Sequence, residues 1–578
     1  MQYKSVRIMG IALVFVLVVS FALAACSSPT PQAPQVVRET QVVRETQVVK
    51  ETVIVAGTPQ VVEKVVTATP PPAPTQSTGP KRGGTLNVIL AEEVKGLYNQ
   101  ADSGTEGEYP LNQILDGLVN SDPDRNIIPG LATSWEVSPD GVAYTFKLRQ
   151  GVKFHDGTEF DADDVKWTFD QGIKPDSYSG IKYIPYIAGT EKIDKYTVKI
   201  TLKQPWADFM PTLAYEEDLD IMSRESVEKW GVDYGYKAAV GTGPFKFDHW
   251  TRGQELVLVR NEDYWDKAQG YPYLDKIVYR AVTEDSVKMM QLTTKNADAI
   301  LTVPFNNVAA LKLDKNIVVD STAGGTVHWL GFATENAPFK DLKTRQALCY
   351  AIDRQAIVDT VFAGNAVVAN SIFPPILKTV STNDKVVYDY NPTKAQQLLT
   401  EAGYGPNNPL KFILLTSNAA PYPDEAVLVQ AQLKKVGVQA EIQALEKAAL
   451  STYTSGTAPD AAAKRQAFLY RYGYPGSFIN DYTYRTFFSK GSLNNFGYNK
   501  ANGFQNPVAD KLIDDTFKLG DPAKIVEGNK KVNDVILQDA PWCYIAYQNN
   551  VIAYQSYVKG IKNWPLSTFP MRQVWLDK

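Results

Sequence analysis

The first eighty residues of this 578-residue chain cannot build a core, so any fold has to come from the remainder. Lys4 and Arg7 precede an apolar run over residues 8–23, shorter than the roughly 20 residues a membrane-spanning helix needs. Its placement and basic flank fit the apolar region of an export signal. Residues 35–40, 41–46 and 47–52 then repeat the hexad Gln-Val-Val-Arg/Lys-Glu-Thr, and a Pro-rich stretch closes the segment at Pro70–Pro74. A six-residue period matches neither a heptad nor a solenoid repeat. The polar, Pro-bounded composition reads as an extended, flexible spacer over residues 26–82.

The apolar run ends in Leu23-Ala24-Ala25-Cys26. A cysteine directly after two small residues resembles the bacterial lipobox, which implies cleavage after residue 25 and a lipid thioether on Cys26. An ordinary cleaved signal or a short N-terminal anchor are the alternatives. Lipidation would place the protein outside the cytoplasm, anchored to the bacterial cell membrane at the cell surface or in the periplasm. Cys349 and Cys543 remain; oxidising surroundings would permit a disulfide, which sequence cannot pair, and their apolar neighbours favour two buried thiols.

From residue 83 onward strand and helix signals mix. Residues 144–149 and 196–203 alternate apolar and polar side chains as half-buried strands do, and Leu256-Val257-Leu258-Val259 suits a more buried one. Asp341 is placed to cap one long helix with Leu342, Leu348, Ala351, Ile352 and Val361 inward and Gly364 past its end. Asp424 opens another helix, with Leu428 and Ala431 inward and Gly437 as its stop. Strands and helices without a regular βαβ rhythm predict an α/β body whose chain crosses between lobes.

Signals of catalysis are sparse. The sequence holds no Walker-type phosphate loop, no His-Glu-x-x-His and no Gly-x-Ser-x-Gly. Ser226 and Lys229 match a Ser-x-x-Lys spacing without the companion motifs, and a polar helix face explains them. Three histidines, His155, His249 and His328, each lie beside an aromatic residue and read as packing, with no metal site. Adjacent acids at 163–164 and 216–218 read as solvated surface. Glu92, which with Glu93 ends a strand expected at 85–91, is the exception, because α/β folds place ligands at such strand ends. A net charge of −4 offers no basic surface for nucleic acid.

Four strings make the globular part recognisable. The first is Ile-Pro-Gly-Leu-Ala-Thr-Ser-Trp-Glu-Val-Ser-Pro-Asp-Gly over 128–141, continuing through Tyr144, Phe146 and His155-Asp156-Gly157 to Asp161-Ala162-Asp163-Asp164-Val165. The second is Gly241-Thr242-Gly243-Pro244-Phe245 with Arg260-Asn261-Glu262-Asp263-Tyr264-Trp265. The third is Ala337-Pro338-Phe339-Lys340-Asp341 with Ala351-Ile352-Asp353-Arg354, and the fourth runs over 395–403 to the helix end at Gly437. They resemble the family 5 solute-binding proteins of ABC importers, which include peptide, nickel and some oligosaccharide binders.

The resemblance implies a type II periplasmic-binding-protein-like α/β fold: two hinged lobes and an extra α/β subdomain. Lobe I would comprise 83–120, 240–328 and 546–578, the extra subdomain 121–239, and lobe II 329–545. It implies a monomeric binding protein rather than an enzyme, without cofactor. That protein would hand a small molecule to a permease and, through it, to ATPase subunits.

Peptide-binding members carry an acidic residue in a Trp-x-x-Asp-Tyr segment that pairs with the peptide amine. Here the corresponding stretch begins Tyr470-Arg471-Tyr472-Gly473-Tyr474, so Gly473 stands where the acid is expected and Arg471 adds a positive charge. Asp481 or Glu92 would have to substitute. Tyr470, Arg471, Tyr472, Tyr474, Phe478, Asp481, Glu92 and Trp329 are the expected ligand contacts. A short peptide is the expected ligand and an oligosaccharide the alternative, since tyrosine faces suit sugar rings. A secreted carbohydrate hydrolase and a surface adhesin are the competing classes.

Overall fold

A computed structural model describes residues 46–55, 58–67, 79–101, 104–122, 126–177, 179–215, 217–334, 336–377, 387–454, 466–473, 506–519, 521–564 and 569–578, with a few isolated positions between 458 and 488. Cys26, Tyr474, Phe478 and Asp481 lie outside the described residues. The chain forms two compact units, Met1–Thr78 and Gly79–Lys578.

In the first unit, Thr46–Val55 and Thr58–Thr67 pair antiparallel from Thr46 opposite Thr67 to Val55 opposite Thr58. A hairpin therefore occupies part of the stretch that the sequence presents as an extended spacer. Its strands are dominated by Val, Thr and Ile, whose branched side chains favour pleated backbone. Two residues separate them, the length that closes a tight hairpin.

The second unit is organised on a sheet of eleven strands among the described residues. In spatial order these are Phe245–Thr251, Glu255–Arg260, Lys276–Ala281, Thr85–Leu90, Ala299–Ile300, Trp542–Gln555, Ile317–Phe332, Ala467–Gly473, Lys411–Ser417 and Gln439–Leu445. Ala366–Val368 also pairs with Trp542–Gln555. At each end the sheet feeds a different core. Leu86, Val88, Phe245, Leu258, Ile277, Tyr279, Ile552 and Met571 pack at one end. At the other, Leu330, Leu348, Leu414, Leu433 and Ile545 form one cluster, and Trp329, Phe468 and Trp542 belong to a second.

The strands Ile317–Phe332 and Trp542–Gln555 are 16 and 14 residues long and run through both ends. Their pairing is interrupted midway, where Thr322 faces Asn550 and the next pair is Thr326 with Gln548. Three residues, Ala323, Gly324 and Gly325, thus span the interval that Asn549 spans alone. A Cβ on Gly324 would stand 2.3 Å from the Gln548 carbonyl oxygen, so only glycine permits the strands to come this close.

A further core fills the 118–221 region, built on the antiparallel sheet Ala132–Val137, Ala143–Leu148, Thr197–Leu202 and Ile187–Asp194. The alternation read from sequence is what buries it: Tyr144, Phe146 and Leu148 point inward while Lys147 is exposed. Asp161 caps the helix Ala162–Gly172 in a reciprocal capping box with Asp164. Gly241 and Gly243 pass so close to the Ile114 and Gln113 carbonyls that a Cβ would sit 2.3 and 2.6 Å away.

Several expectations need correction. The long helix after Asp341 is two helices, Leu342–Ala351 and Arg354–Thr360. Asp353 breaks it: its side chain accepts from Ala356 N at 3.0 Å, and Gln432 holds its backbone from both sides, at 2.9 and 3.1 Å. Leu342 is exposed rather than inward. The helix Tyr422–Lys435 buries Ala426, Val429 and Leu433, while Ala431 is exposed. Glu217 and Asp218 are buried rather than solvated; Asp218 accepts from Lys182 Nζ at 2.6 Å and Tyr183 Oη at 3.2 Å. His249 lies at the surface beside Asp248 at 2.8 Å instead of packing inward.

Cys349 and Cys543 form a disulfide with a Cα–Cα separation of 5.2 Å, not two buried thiols. Their apolar neighbours reflect the shared core in which both halves of the bridge sit.

Candidate functional site

The strand Ala467–Gly473 pairs with the far half of the long strand Ile317–Phe332, setting Trp329 opposite Tyr470, His328 opposite Arg471 and Val327 opposite Tyr472. Because side chains alternate across a strand, Tyr470 and Tyr472 share one face and Arg471 takes the other. The tyrosine face is aromatic. Trp329 stacks on Trp542 at 4.1 Å and 7°, with Tyr470 at 5.8 Å, and Tyr472 meets Phe487 edge-on at 5.1 Å. Both tyrosines are half-buried, whereas Trp329 has no exposed surface. Trp329 is therefore a core residue in this structure, because the Trp542 ring and the strand partners cover it.

The Arg471 face is polar. Arg471 Nη1 donates to Gln548 Oε1 at 3.3 Å, and its guanidinium lies over the Tyr422 ring at 5.7 Å. His328 is buried beside it, with Nε2 at 2.9 Å from Gln548 Oε1 and Nδ1 at 3.1 Å from Glu425 Oε2. Packing was the sequence expectation for His328; it packs, and it also carries this polar chain.

Glu92 follows Thr85–Leu90 and is exposed, and Glu93 accepts from Trp250 Nε1 at 3.1 Å. Glu106, in the first turn of the helix Gly104–Ile114, is half-buried. Burial pushes the Glu106 carboxyl up from its ordinary range, and the neighbouring Glu92 carboxylate adds to the rise. Its backbone, Lys447 and Arg471 all pull it back down. Glu106 thus feels one like charge, Glu92, and two opposite ones, Lys447 and Arg471. Among the described residues none of the four is in an ion pair.

Of the expected contacts, Arg471 and Glu92 each act electrostatically on Glu106, and Tyr470 and Tyr472 lie on the opposite face of the Arg471 strand. Glu106 and Lys447 are additions. The helix-opening position of Glu106 is visible in sequence, but nothing there marks the charge it faces. Tyr98 and Tyr109, near the first strand, pack against Tyr234 and Phe569.

A separate cavity of about 230 Å3 lies between residues 112–122 and 560–573, lined by Asp116, Tyr215, Trp564 and Arg572 among others. Asp116 is engaged there by Thr242 Oγ1 at 2.9 Å and Trp265 Nε1 at 2.8 Å, so its carboxylate serves the scaffold. None of the residues expected from sequence lines that cavity. No group of His, Cys, Asp and Glu among the described residues is arranged to hold a metal ion. Ser226 is buried on the helix Arg224–Trp230 and Lys229 is exposed, as a helix face requires.

The sequence pattern of the bacterial extracellular solute-binding proteins, family 5, matches residues 126–496. The glutathione-binding protein GsiB of Salmonella paratyphi A is 31% identical over 456 residues, covering 78% of this chain and 87% of that protein. Among solved structures, the periplasmic binding protein DppA of Helicobacter pylori with the peptide STSA is similar at a TM-score of 0.75 and 28% identity. It covers 86% of this chain and 99% of that one. The oligopeptide-binding protein AppA of Bacillus subtilis with a nonapeptide is similar at a TM-score of 0.73 and 26% identity, covering 86% and 100%.

Proposed function

The chain belongs to family 5 of the bacterial extracellular solute-binding proteins, the substrate-binding proteins of ABC importers, and from that premise we propose that it captures a short peptide between its two lobes. The observation that carries this reading is the set of unpaired charges. Glu106 feels the like charge of Glu92 and the opposite charges of Lys447 and Arg471, and among the described residues none of the four is in an ion pair. A peptide brings an ammonium and a carboxylate on one molecule. It would satisfy both pairs at once, with the amine toward Glu92 and Glu106 and the carboxylate toward Arg471 and Lys447. A neutral oligosaccharide would leave all four charges uncompensated as the lobes close, which is costly in a desolvated site. The similar proteins that bind glutathione, the peptide STSA and a nonapeptide support the same class.

Tyr470 and Tyr472 supply the adjoining aromatic wall. The lobes, at the boundaries read from sequence, close about the crossing of the two long strands. Closure presents the occupied form to a permease, whose ATPase subunits drive transport. Lipid on Cys26 holds the monomer at the outer face of the membrane. Among the described residues no helix is long and apolar enough to cross a membrane.

Native mass spectrometry against mixed di- to tetrapeptides, glutathione and oligosaccharides tests the reading. One equivalent of peptide should be retained and released with its mass unchanged. Retention of an oligosaccharide alone, or release of a cleaved product, refutes it.

A further inference from the structure

Arg471 does not stand alone on its strand face, and its neighbours have a common logic. A guanidinium can only donate hydrogen bonds. Gln548 therefore turns its amide oxygen to Arg471, at 3.3 Å, and the same oxygen meets His328 Nε2 at 2.9 Å. That oxygen can only accept, so His328 carries a proton on Nε2 and donates it to Gln548. On the other side of the ring, Nδ1 faces Glu425 Oε2 at 3.1 Å, with both side chains almost fully buried. The group that Arg471 meets directly is thus a neutral amide, itself held by a buried histidine.

Gln548 stands at the first pair beyond the interruption of the two crossing strands, opposite Thr326. From there it is the only one of these side chains to touch both His328 and Arg471. We propose that Gln548, oriented by the His328–Glu425 pair, is the specificity-determining positioning residue of the site. It fixes the Arg471 guanidinium through a neutral acceptor, so the positive charge stays available for a ligand carboxylate. The choice of amide over acid is the essential element. A glutamate here would reach the same nitrogen, form an ion pair with Arg471 and remove the charge from the cleft. This inference rests on the peptide reading and adds the support that keeps Arg471 charged toward the ligand carboxylate.

The test compares free-acid and C-terminally amidated forms of a di- to tetrapeptide mixture by calorimetric titration against the full chain. The wild-type protein should prefer the acid forms. Gln548→Glu should reduce that preference by about tenfold or more, the scale of one charge-assisted hydrogen bond, with little change in affinity for the amides. Gln548→Met, which keeps the size and neutrality but loses the acceptor, should weaken acid binding while keeping a residual preference for it. It decides the matter by itself if the glutamate variant fails to fold. A purely structural role would weaken acid and amide forms equally. An unchanged acid-to-amide ratio in the folded variants overturns the positioning role and leaves the peptide reading standing. Wild-type protein that binds neither form overturns both.

Discussion

Replacing the cysteines one at a time and together gives the sharpest test of how the second lobe is held. Cys349 lies in the helix Leu342–Ala351 and Cys543 at the start of the long strand Trp542–Gln555, 194 positions later. The bridge closes nearly all of the expected second lobe into a single covalent loop. For a loop of that length the chain-entropy estimate is about 5 kcal/mol at 25 °C, and native bridges deliver roughly 2–5 kcal/mol. The assay is urea unfolding of Cys349→Ala, Cys543→Ala and the double variant, followed by tryptophan emission, to which Trp329 and Trp542 of this lobe contribute.

Either single substitution already removes the bridge. The double variant should therefore lose little more than the worse single one, with a coupling energy of about 2 kcal/mol or more. Two unlinked thiols in one core would instead lose stability additively, each by the small cavity that a missing sulfur leaves. Additive losses refute the bridge. The comparison needs no reductant, which matters because both sulfurs are buried and shielded from one.

Two further outcomes follow from local geometry. Gly324→Val should force apart the strands at their crossing, since even a Cβ would stand 2.3 Å from the Gln548 oxygen and 2.9 Å from Asn550 Oδ1. A loss of about 1–3 kcal/mol and weaker peptide binding are expected, and unchanged melting with unchanged affinity refutes the tight crossing. His155 is held neutral by burial, down to about 4, against the opposing pull of the Gly243 carbonyl that accepts from Nε2 at 3.0 Å. Between its ordinary value near 6.5 and about 4, the unfolded chain binds a proton that the folded chain does not. Stability should fall as pH drops through that window, and less so in His155→Gln. Imidazole NMR showing His155 titrating near 6.5 in the folded protein refutes it.

Much of the scaffold is legible in the sequence because its signals are local. Asp161 and Asp341 cap the helices they precede, and Gly141, Gly157 and Gly437 all adopt the positive φ that their turns require. What was illegible depends on partners far along the chain. The Cys349–Cys543 pairing needs the helix and strand to share a core, and no spacing encodes that. The helix break at Asp353 depends on Gln432, 79 residues on, closing over its backbone. Trp329 carries the same aromatic signal as Tyr470 and Tyr472, and only the stacking on Trp542 separates it as core. Arg471 stood out by its string, yet Glu106 acquires its meaning only when another lobe brings positive charge to face it.

The placement of these charges explains how a site of this kind can reject as well as bind. Among the described residues the half-buried Arg471 has no carboxylate in an ion pair with it, an arrangement tolerated because Gln548 accepts from it, the Tyr422 ring lies beneath it, and Glu106 exerts a longer-range attraction. None of these neutralises it. With the lobes apart, water supplies the remaining solvation. With the lobes closed, water is excluded and the attraction between charges strengthens, as does the penalty for any left unmatched. On the proposed peptide reading, closure is therefore favourable only around a ligand whose own charges replace the solvent at both ends. Discrimination resides less in the contacts made to the right molecule than in the charges stranded by the wrong one.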